Sequence, residues 1–196
     1  MPPNPTPRLS FREMSMDDLD DMAHLLGDPL VMEHYPRPKD RREAAEWISW
    51  NLRNYAEHGH GLWIIESHGG EFIGDCGLTW QTVDQSPALE VGYHVKTSAQ
   101  RLGYATEAAT ACRDYASSHV LAVRIVSIIH LDAPTFTALR VRGVQLHARP
   151  PGHAAPGQRR QRRGDASSRV AAPSSRAAVP TKTPAGVGPD RHADPP

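Results

Sequence analysis

The stretch Gln100-Arg101-Leu102-Gly103-Tyr104-Ala105-Thr106-Glu107-Ala108 has the composition of a tight loop opening a helix of small residues. It follows an apolar, strand-like run, Leu89-Glu90-Val91-Gly92-Tyr93-His94-Val95. Such a junction can hold a phosphate, because the first-turn N–H groups of a helix lack intrahelical acceptors and the positive end of its dipole faces the loop. Gly103 lets the backbone come close to a ligand. Each backbone donor between Arg101 and Thr106 would contribute a charge-assisted bond of roughly 1.5–3 kcal/mol. Glu90 is the second residue suited to chemistry, an acid inside an apolar strand, where partial burial raises a carboxyl pKa toward the working range. It reads either as a general base or as a structural or orienting carboxylate. His94 and His130 lie in or at the end of strand-like runs, but the chain has 11 histidines, and neither is favoured for chemistry.

The elements that must position these residues follow from hydrophobic period and capping. Leu9–Glu13 reads as a strand, and Ser15-Met16-Asp17-Asp18 supplies a cap and early carboxylates for a helix that turns Leu19, Met22 and Leu26 inward and ends at Gly27. Asp28 to Met32 reads as a short helical turn. Pro36 and Pro38 then force an irregular connection to a helix over Asp40–His58 whose buried stripe would be Ala45, Ile48, Leu52 and Tyr55. Leu62–Glu66 and Glu71–Leu78 form a hairpin across Ser67-His68-Gly69-Gly70, and Ala88–Val95 extends it into a meander. A helix over Tyr104–Ser117 presents a narrow face of Ala105, Ala108, Ala109, Cys112 and Ala116 to the sheet, and Val123–Ile129 reads as a strand covered on both faces. The order is α+β with a central mixed sheet.

Of the 196 residues, 39% are hydrophobic, and the deficit is local. Residues 149–196 contain no Leu, Ile, Met or aromatic residue but nine Pro and nine Ala, a composition that cannot bury enough apolar surface to offset ordering entropy. We expect a domain over residues 1–148 and a disordered Arg/Pro/Ala-rich tail over 149–196. The net charge of zero divides the same way, with −6 on residues 1–148 and +6 beyond. An acidic body is compatible with a cationic amine substrate and equally with a solvated surface. The N-terminus has no signal-peptide core and no run approaches the ~20 apolar residues that span a bilayer, so a cytoplasmic protein without membrane partners is expected. Cys76 and Cys112 read as buried free thiols with no disulfide between them.

Gln100, Gly103 and Ala105 fill the Gln/Arg-x-x-Gly-x-Gly/Ala pattern of the pyrophosphate loop of the GNAT acyltransferases. The stretch from Leu9 to Asp132 resembles the branch of that family named for ribosomal-protein N-terminal (alanine) acetyltransferases. Further signposts are Leu62-Trp63-Ile64-Ile65, Phe72-Ile73-Gly74-Asp75-Cys76-Gly77-Leu78, Glu90-Val91-Gly92-Tyr93 and Gly103-Tyr104-Ala105-Thr106-Glu107-Ala108. The resemblance implies a central mixed, mostly antiparallel sheet flanked by helices, whose fourth and fifth strands splay into a wedge for acetyl-CoA as acyl donor, with no metal. It implies that Gln100, Arg101, Leu102, Gly103, Tyr104, Ala105 and Thr106 hold the pyrophosphate and that backbone amides of Tyr93, His94 and Val95 face the pantetheine. By that placement Glu90 would lie at the wedge, where it is the candidate catalytic base, acting directly or through a water. Gly92 marks either a bulge that opens the strand or a close-packed glycine.

The acceptor implied is a primary amine, a protein N-terminus or a small molecule. A lysine-type amine costs about 4–5 kcal/mol to deprotonate at neutral pH and a peptide α-amine about 1. Trp47, Trp50, Tyr55, Trp63 and Trp80 are candidate pocket or core aromatics. Beyond His130 the chain departs from the family pattern. Ala133 stands where the family has asparagine, Thr135 takes the place of the serine that follows proline, no tyrosine follows Tyr115, and the composition turns foreign after His147. The expectation is an aberrant C-terminus, a frameshift product or a decayed end, with an incomplete C-terminal strand and an open sheet edge that invites pairing as a homodimer. Three readings follow: an acetyl-CoA-dependent N-acetyltransferase, a catalytically impaired CoA-binding remnant of one, and a nucleic-acid-binding protein through Arg159-Arg160-Gln161-Arg162-Arg163. The last is disfavoured because that tail has no aromatic residue for stacking on bases.

Overall fold

The computed structural model describes residues 1–130 and 141–149, all within one compact unit spanning Met1–Arg160. The elements are β1 (Leu9–Arg12), a 3-10 turn (Met16–Asp18), α1 (Leu19–Gly27), α2 (Arg41–His58), β2 (Leu62–Ser67), β3 (Phe72–Val83), β4 (Ser86–Val95), a second 3-10 turn (Thr97–Ala99), α3 (Tyr104–Ser118), β5 (Ile125–His130) and β6 (Gln145–Arg149). They build one six-stranded sheet in the order β1-β2-β3-β4-β5-β6, antiparallel from β1 to β4 and parallel across β4–β5 and β5–β6. This is the expected α+β fold. The tail proper, from residue 150, lies outside the described residues, and Arg149 ends β6 rather than beginning the tail.

Local chemistry fixes the helix ends. Asp40 accepts the Glu43 N–H at 2.8 Å while Glu43 accepts the Asp40 N–H at 3.0 Å, which closes the start of α2; Gly59 stops it. Before α1, Asp18 accepts the Ser15 N–H at 2.7 Å and is clamped by both terminal nitrogens of Arg12, at 2.6 and 2.9 Å. The buried stripe of α2 is Ala44, Trp47, Ile48 and Asn51, one step round from the expected Ala45, Ile48, Leu52 and Tyr55, and Leu52 is exposed. The rotation has a polar cause. Asn51 is fully buried because its carbonyl oxygen accepts the Leu62 N–H at 2.8 Å, joining α2 to the first residue of β2.

α3 covers one face of the sheet with Ala108, Ala109, Cys112 and Ala116 against Trp63, Cys76, Leu78, Leu89 and Val91. α1 and α2 cover the other with Met22, Leu25, Leu26, Ala44 and Ile48 against Leu62 and Ile64. The small side chains of α3 allow a close approach, and there Cys76 and Cys112 meet as thiols with their sulfurs 3.6 Å apart. β3 and β4 run longer than their apolar cores suggest, through a two-residue turn at Asp84 and Gln85, both at positive φ, 52° and 62°. Arg124 steadies that turn, with its Nη2 3.1 Å from Asp84.

The β3–β4 register is continuous from Gly74↔Val95 to Val83↔Ser86, so Gly92 is not a bulge. The irregularity lies instead between Ile65 and Glu66 of β2. On the same rung as Gly92, Gly77 is the constrained glycine: a Cβ there would stand 2.0 Å from Gly61 O, whereas one on Gly92 would meet only Leu62 Cδ2 at 3.5 Å. Gly77→Ala should therefore destabilise the fold by about 3 kcal/mol, while Gly92→Ala should leave the urea midpoint within about 0.5 kcal/mol of the parent. Paired chemical denaturation curves read both.

Candidate functional site

β4 and β5 are paired only at Leu89↔Ile125 and Glu90↔Val126, although β4 continues to Val95 and β5 to His130. Past that point the strands part, and one edge of β4 is left without a strand partner. Its direction follows from the ladder. The Leu89 N–H donates to Arg124 O at 3.1 Å, toward β5. Backbone groups alternate sides along a strand, so the Tyr93 and Val95 N–H groups point into the same opening, and that of His94 points away from it. The His94 N–H indeed donates to the Asp75 carboxylate of β3 at 3.0 Å. This corrects the expectation that His94 offers a backbone donor beside Tyr93 and Val95.

The loop after β4 is held at both ends. Gln100 Nε2 donates to Val95 O at 3.1 Å, which ties the loop to the open edge and gives Gln100 an anchoring contact inside the protein. Arg101 and Gly103 adopt left-handed conformations with φ of 61° and 85°, and Leu102 is exposed between them. Gly103 is the first cap of α3 and contributes no side-chain cap. The first helical bond runs from the Glu107 N–H to Gly103 O at 3.0 Å, so the N–H groups of Tyr104, Ala105 and Thr106 precede the helical ladder. An uncapped first turn behind a loop of alternating handedness is a concavity of backbone donors suited to an anion. Thr135 and the other loop residues expected on the far side of the site lie outside the described residues.

Two residues that sequence reasoning passed over set the loop's position. Glu107 accepts from Thr6 Oγ1 at 2.6 Å, from the Arg8 N–H at 3.0 Å and from Arg8 Nε at 2.6 Å. Arg8 also donates to Leu102 O at 2.9 Å, and its guanidinium stands 4.5 Å from the centre of the Tyr104 ring. Burial pushes the Glu107 carboxyl up, but the bonds from Thr6 and Arg8 outweigh it and hold the group below the usual carboxylate range. No local signal marks this pairing, because the partners are about a hundred residues apart in sequence.

Glu90 is buried at the apex where the strands part, and the alternation of β4 puts Glu90, Gly92 and His94 on the face covered by α2. His94, 5% exposed, is bound through Nδ1 to Asp75 at 2.7 Å and through Nε2 to Tyr35 Oη at 2.8 Å. Trp47 Nε1 donates to the other Asp75 oxygen at 3.2 Å, and its ring meets His94 edge-on. Of the five aromatics considered for a pocket, Trp47 joins this cluster, and Trp50 packs on its ring with centroids 5.1 Å apart. Trp63 is fully buried on the α3 face against Tyr115, and Trp80 is exposed beside His60. Tyr93 lies on the α3 face, where burial pushes its hydroxyl up to about 12.

Residues 8–134 match the model of the acetyltransferase (GNAT) domain family. The chain belongs to the GNAT acetyltransferase family. Among curated relatives, an uncharacterised Bacillus subtilis (strain 168) protein, YkkB, is 41% identical over 112 residues, which is 56% of this chain and 65% of that one. The chain thus spans about two thirds of that relative's length. Among solved structures, an acetyltransferase of Agrobacterium tumefaciens str. C58 is similar with a TM-score of 0.60 and 26% identity, over 71% of this chain and 80% of that one. The spermidine N-acetyltransferase of Vibrio cholerae, in complex with CoA and spermine, shares the fold with a TM-score of 0.50 and 16% identity, over 61% of this chain and 70% of that one.

The Glu107 contacts carry a pH signature. Because the folded-state pKa is lowered, their contribution is whole above the unfolded value near 4.5 and is lost as pH falls through the lowered value. Urea midpoints measured from pH 7 downward should fall more steeply below that range for the parent chain than for Glu107→Gln, which lacks this titration.

Proposed function

We propose that the protein is an acetyl-CoA-dependent N-acetyltransferase acting on a primary amine, either a protein N-terminus or a small-molecule amine. The observation that carries this reading is the coincidence of two donor sets. The first turn of α3, which has no side-chain cap, and the edge of β4 beyond its pairing with β5 each offer backbone N–H groups outside the helical and strand ladders, and Gln100 ties the loop of the first to Val95 at the end of the second. Gln100, Arg101, Leu102, Gly103, Tyr104, Ala105 and Thr106 form the loop that would take the pyrophosphate. The Tyr93 and Val95 N–H groups would lie along the pantetheine and polarise the thioester carbonyl. Acetyl-CoA supplies the activated acyl group.

Glu90 is the proposed catalytic carboxylate. Its charge at the apex of the opening meets an acceptor ammonium, and it can receive the proton directly or through a water. An acceptor N-terminus suits a mild base, since its α-amine costs only about 1 kcal/mol to deprotonate at neutral pH. The resemblance to the ribosomal-protein N-terminal branch favours that acceptor, and the amine named with the Vibrio cholerae enzyme favours the small-molecule alternative.

Calorimetric titration with acetyl-CoA tests the reading. The parent chain should bind with a dissociation constant on the order of micromolar. Gly103→Trp should bind at least about tenfold more weakly, because φ of 85° strains any side chain there and a Cβ would already stand 3.3 Å from Arg8 Nη2. Circular dichroism of the variant guards against global unfolding. No binding by the folded parent would refute the proposal.

A further inference from the structure

The first turn of α3 carries a charge of the wrong sign for an anion. Glu107 lies in that turn, and a carboxylate at the positive end of a helix competes for the same dipole that would hold a phosphate. Its hydrogen bonds keep it ionised, below the usual carboxylate range. The two carboxylate oxygens have different partners. Oε1 accepts from Thr6 Oγ1 at 2.6 Å and from the Arg8 N–H at 3.0 Å, whereas Oε2 takes Arg8 Nε at 2.6 Å and Nη2 at 2.5 Å. One oxygen thus anchors the N-terminal arm and the other holds the guanidinium. Arg8 also reaches into the loop itself. Nη1 donates to Leu102 O at 2.9 Å, the guanidinium carbon stands 4.5 Å from the Tyr104 ring centre, and Nη2 lies 3.3 Å from where a Cβ on Gly103 would be. Among the described residues these bonds use the Nε proton and one on each terminal nitrogen. A guanidinium has five N–H groups, so two more remain beside Gly103, on a side chain that is 45% exposed and open to a ligand from solvent.

We propose that Arg8 sets the charge of the pyrophosphate loop: it neutralises Glu107 and presents its remaining N–H groups to a phosphate of the acyl donor. This role rests on the acetyltransferase reading and deepens it, by adding to the loop a binding residue from the start of the chain. Without Arg8, a bare carboxylate would stand about one guanidinium's width from Gly103 and repel the pyrophosphate from the backbone donors behind it. With Arg8 in place the pair is neutral, and the guanidinium is held against the loop by Leu102 O and the Tyr104 ring before any ligand arrives. An ion pair this exposed contributes little to global stability, so its effect belongs in donor affinity and not in folding.

Calorimetric titration of acetyl-CoA into the full chain and four variants tests this, with circular dichroism to show that each is folded. Arg8→Gln removes the cation and leaves Glu107 unmatched, so its dissociation constant should rise at least about tenfold. Arg8→Lys keeps the charge and should stay within about threefold of the parent. Glu107→Gln retains an Oε1 for Thr6 and the Arg8 N–H but releases the guanidinium, so it should bind about two- to threefold more tightly than the parent. The double variant Arg8→Gln/Glu107→Gln should bind roughly threefold more tightly than Arg8→Gln alone, because the unmatched carboxylate is gone. Raising NaCl from ~50 to ~500 mM should shrink the deficit of Arg8→Gln.

A clasp that only positions the loop predicts the opposite signs. Glu107→Gln would then weaken binding as Arg8→Gln does, and adding it to Arg8→Gln would restore nothing. Either result, in folded variants of a parent that binds, would overturn the role of Arg8 while leaving the acetyltransferase reading intact. Parent-like affinity in Arg8→Gln would do the same. Should Arg8→Gln fail to fold, Glu107→Gln and Arg8→Lys decide alone, and binding weakened tenfold in either would overturn the proposal. Absence of acetyl-CoA binding by the folded parent would remove the acetyltransferase reading and the role of Arg8 with it.

Discussion

The structure depends on the parting of two parallel strands. β4 and β5 share two rungs and then separate, which leaves a row of backbone donors and acceptors with no strand to satisfy them. Such groups are costly when kept from water without a partner. The chain meets part of the cost itself, with the Gln100 side chain bonded to Val95 O, and leaves the donors of Tyr93 and Val95 directed into the gap. A ligand with carbonyl and amide groups along an extended arm can complete what β5 abandons. β4 is buried against helices, and β5 is buried at Ile125 and Val126 where the two strands still pair, so packing holds the point from which the opening spreads.

The second strip of donors is placed by an interaction that reaches from the start of the chain. Thr6 and Arg8 close on Glu107 in the first turn of α3, and Arg8 continues to Leu102 O. These are charge-assisted bonds, but the Arg8 side chain is 45% exposed, and exposed ion pairs contribute little to global stability. Their consequence is local. They fix the angle at which α3 leaves Gly103, and hence where its free N–H groups point relative to the edge of β4.

The α2 face carries the opposite design. Asp75, His94 and Trp47 are buried, and every hydrogen bond among them depends on side chains from β3, β4 and α2 together with Tyr35 from an irregular connection. A buried carboxylate is tolerable because three donors converge on it. The same convergence sets the tautomer of His94 and turns its N–H away from the open edge, so the residue serves one face of β4 with its side chain while its neighbours serve the edge with their backbones.

The sequence alone determined the elements and the loop. Period and caps located α1, α2, α3 and the cores of β1 to β5, because amphipathic spacing and capping are local properties; the loop from Gln100 to Thr106 was legible as a strand-to-helix junction because Gly103 and the small residues after it break a strand and open a helix. Glu90 stood out as an acid in an apolar run. Tertiary structure decided the rest. The α2 stripe turned on the buried Asn51, which apolar periodicity cannot register. The Asp84-Gln85 turn lacks the glycine that would have announced it. The pairing of Arg8 with Glu107 and the meeting of Asp75, His94, Tyr35 and Trp47 join residues dozens of positions apart, and no spacing encodes them. Only a sheet register that sets Asp75 opposite His94, and a helix laid across both, brings those groups within hydrogen-bonding distance.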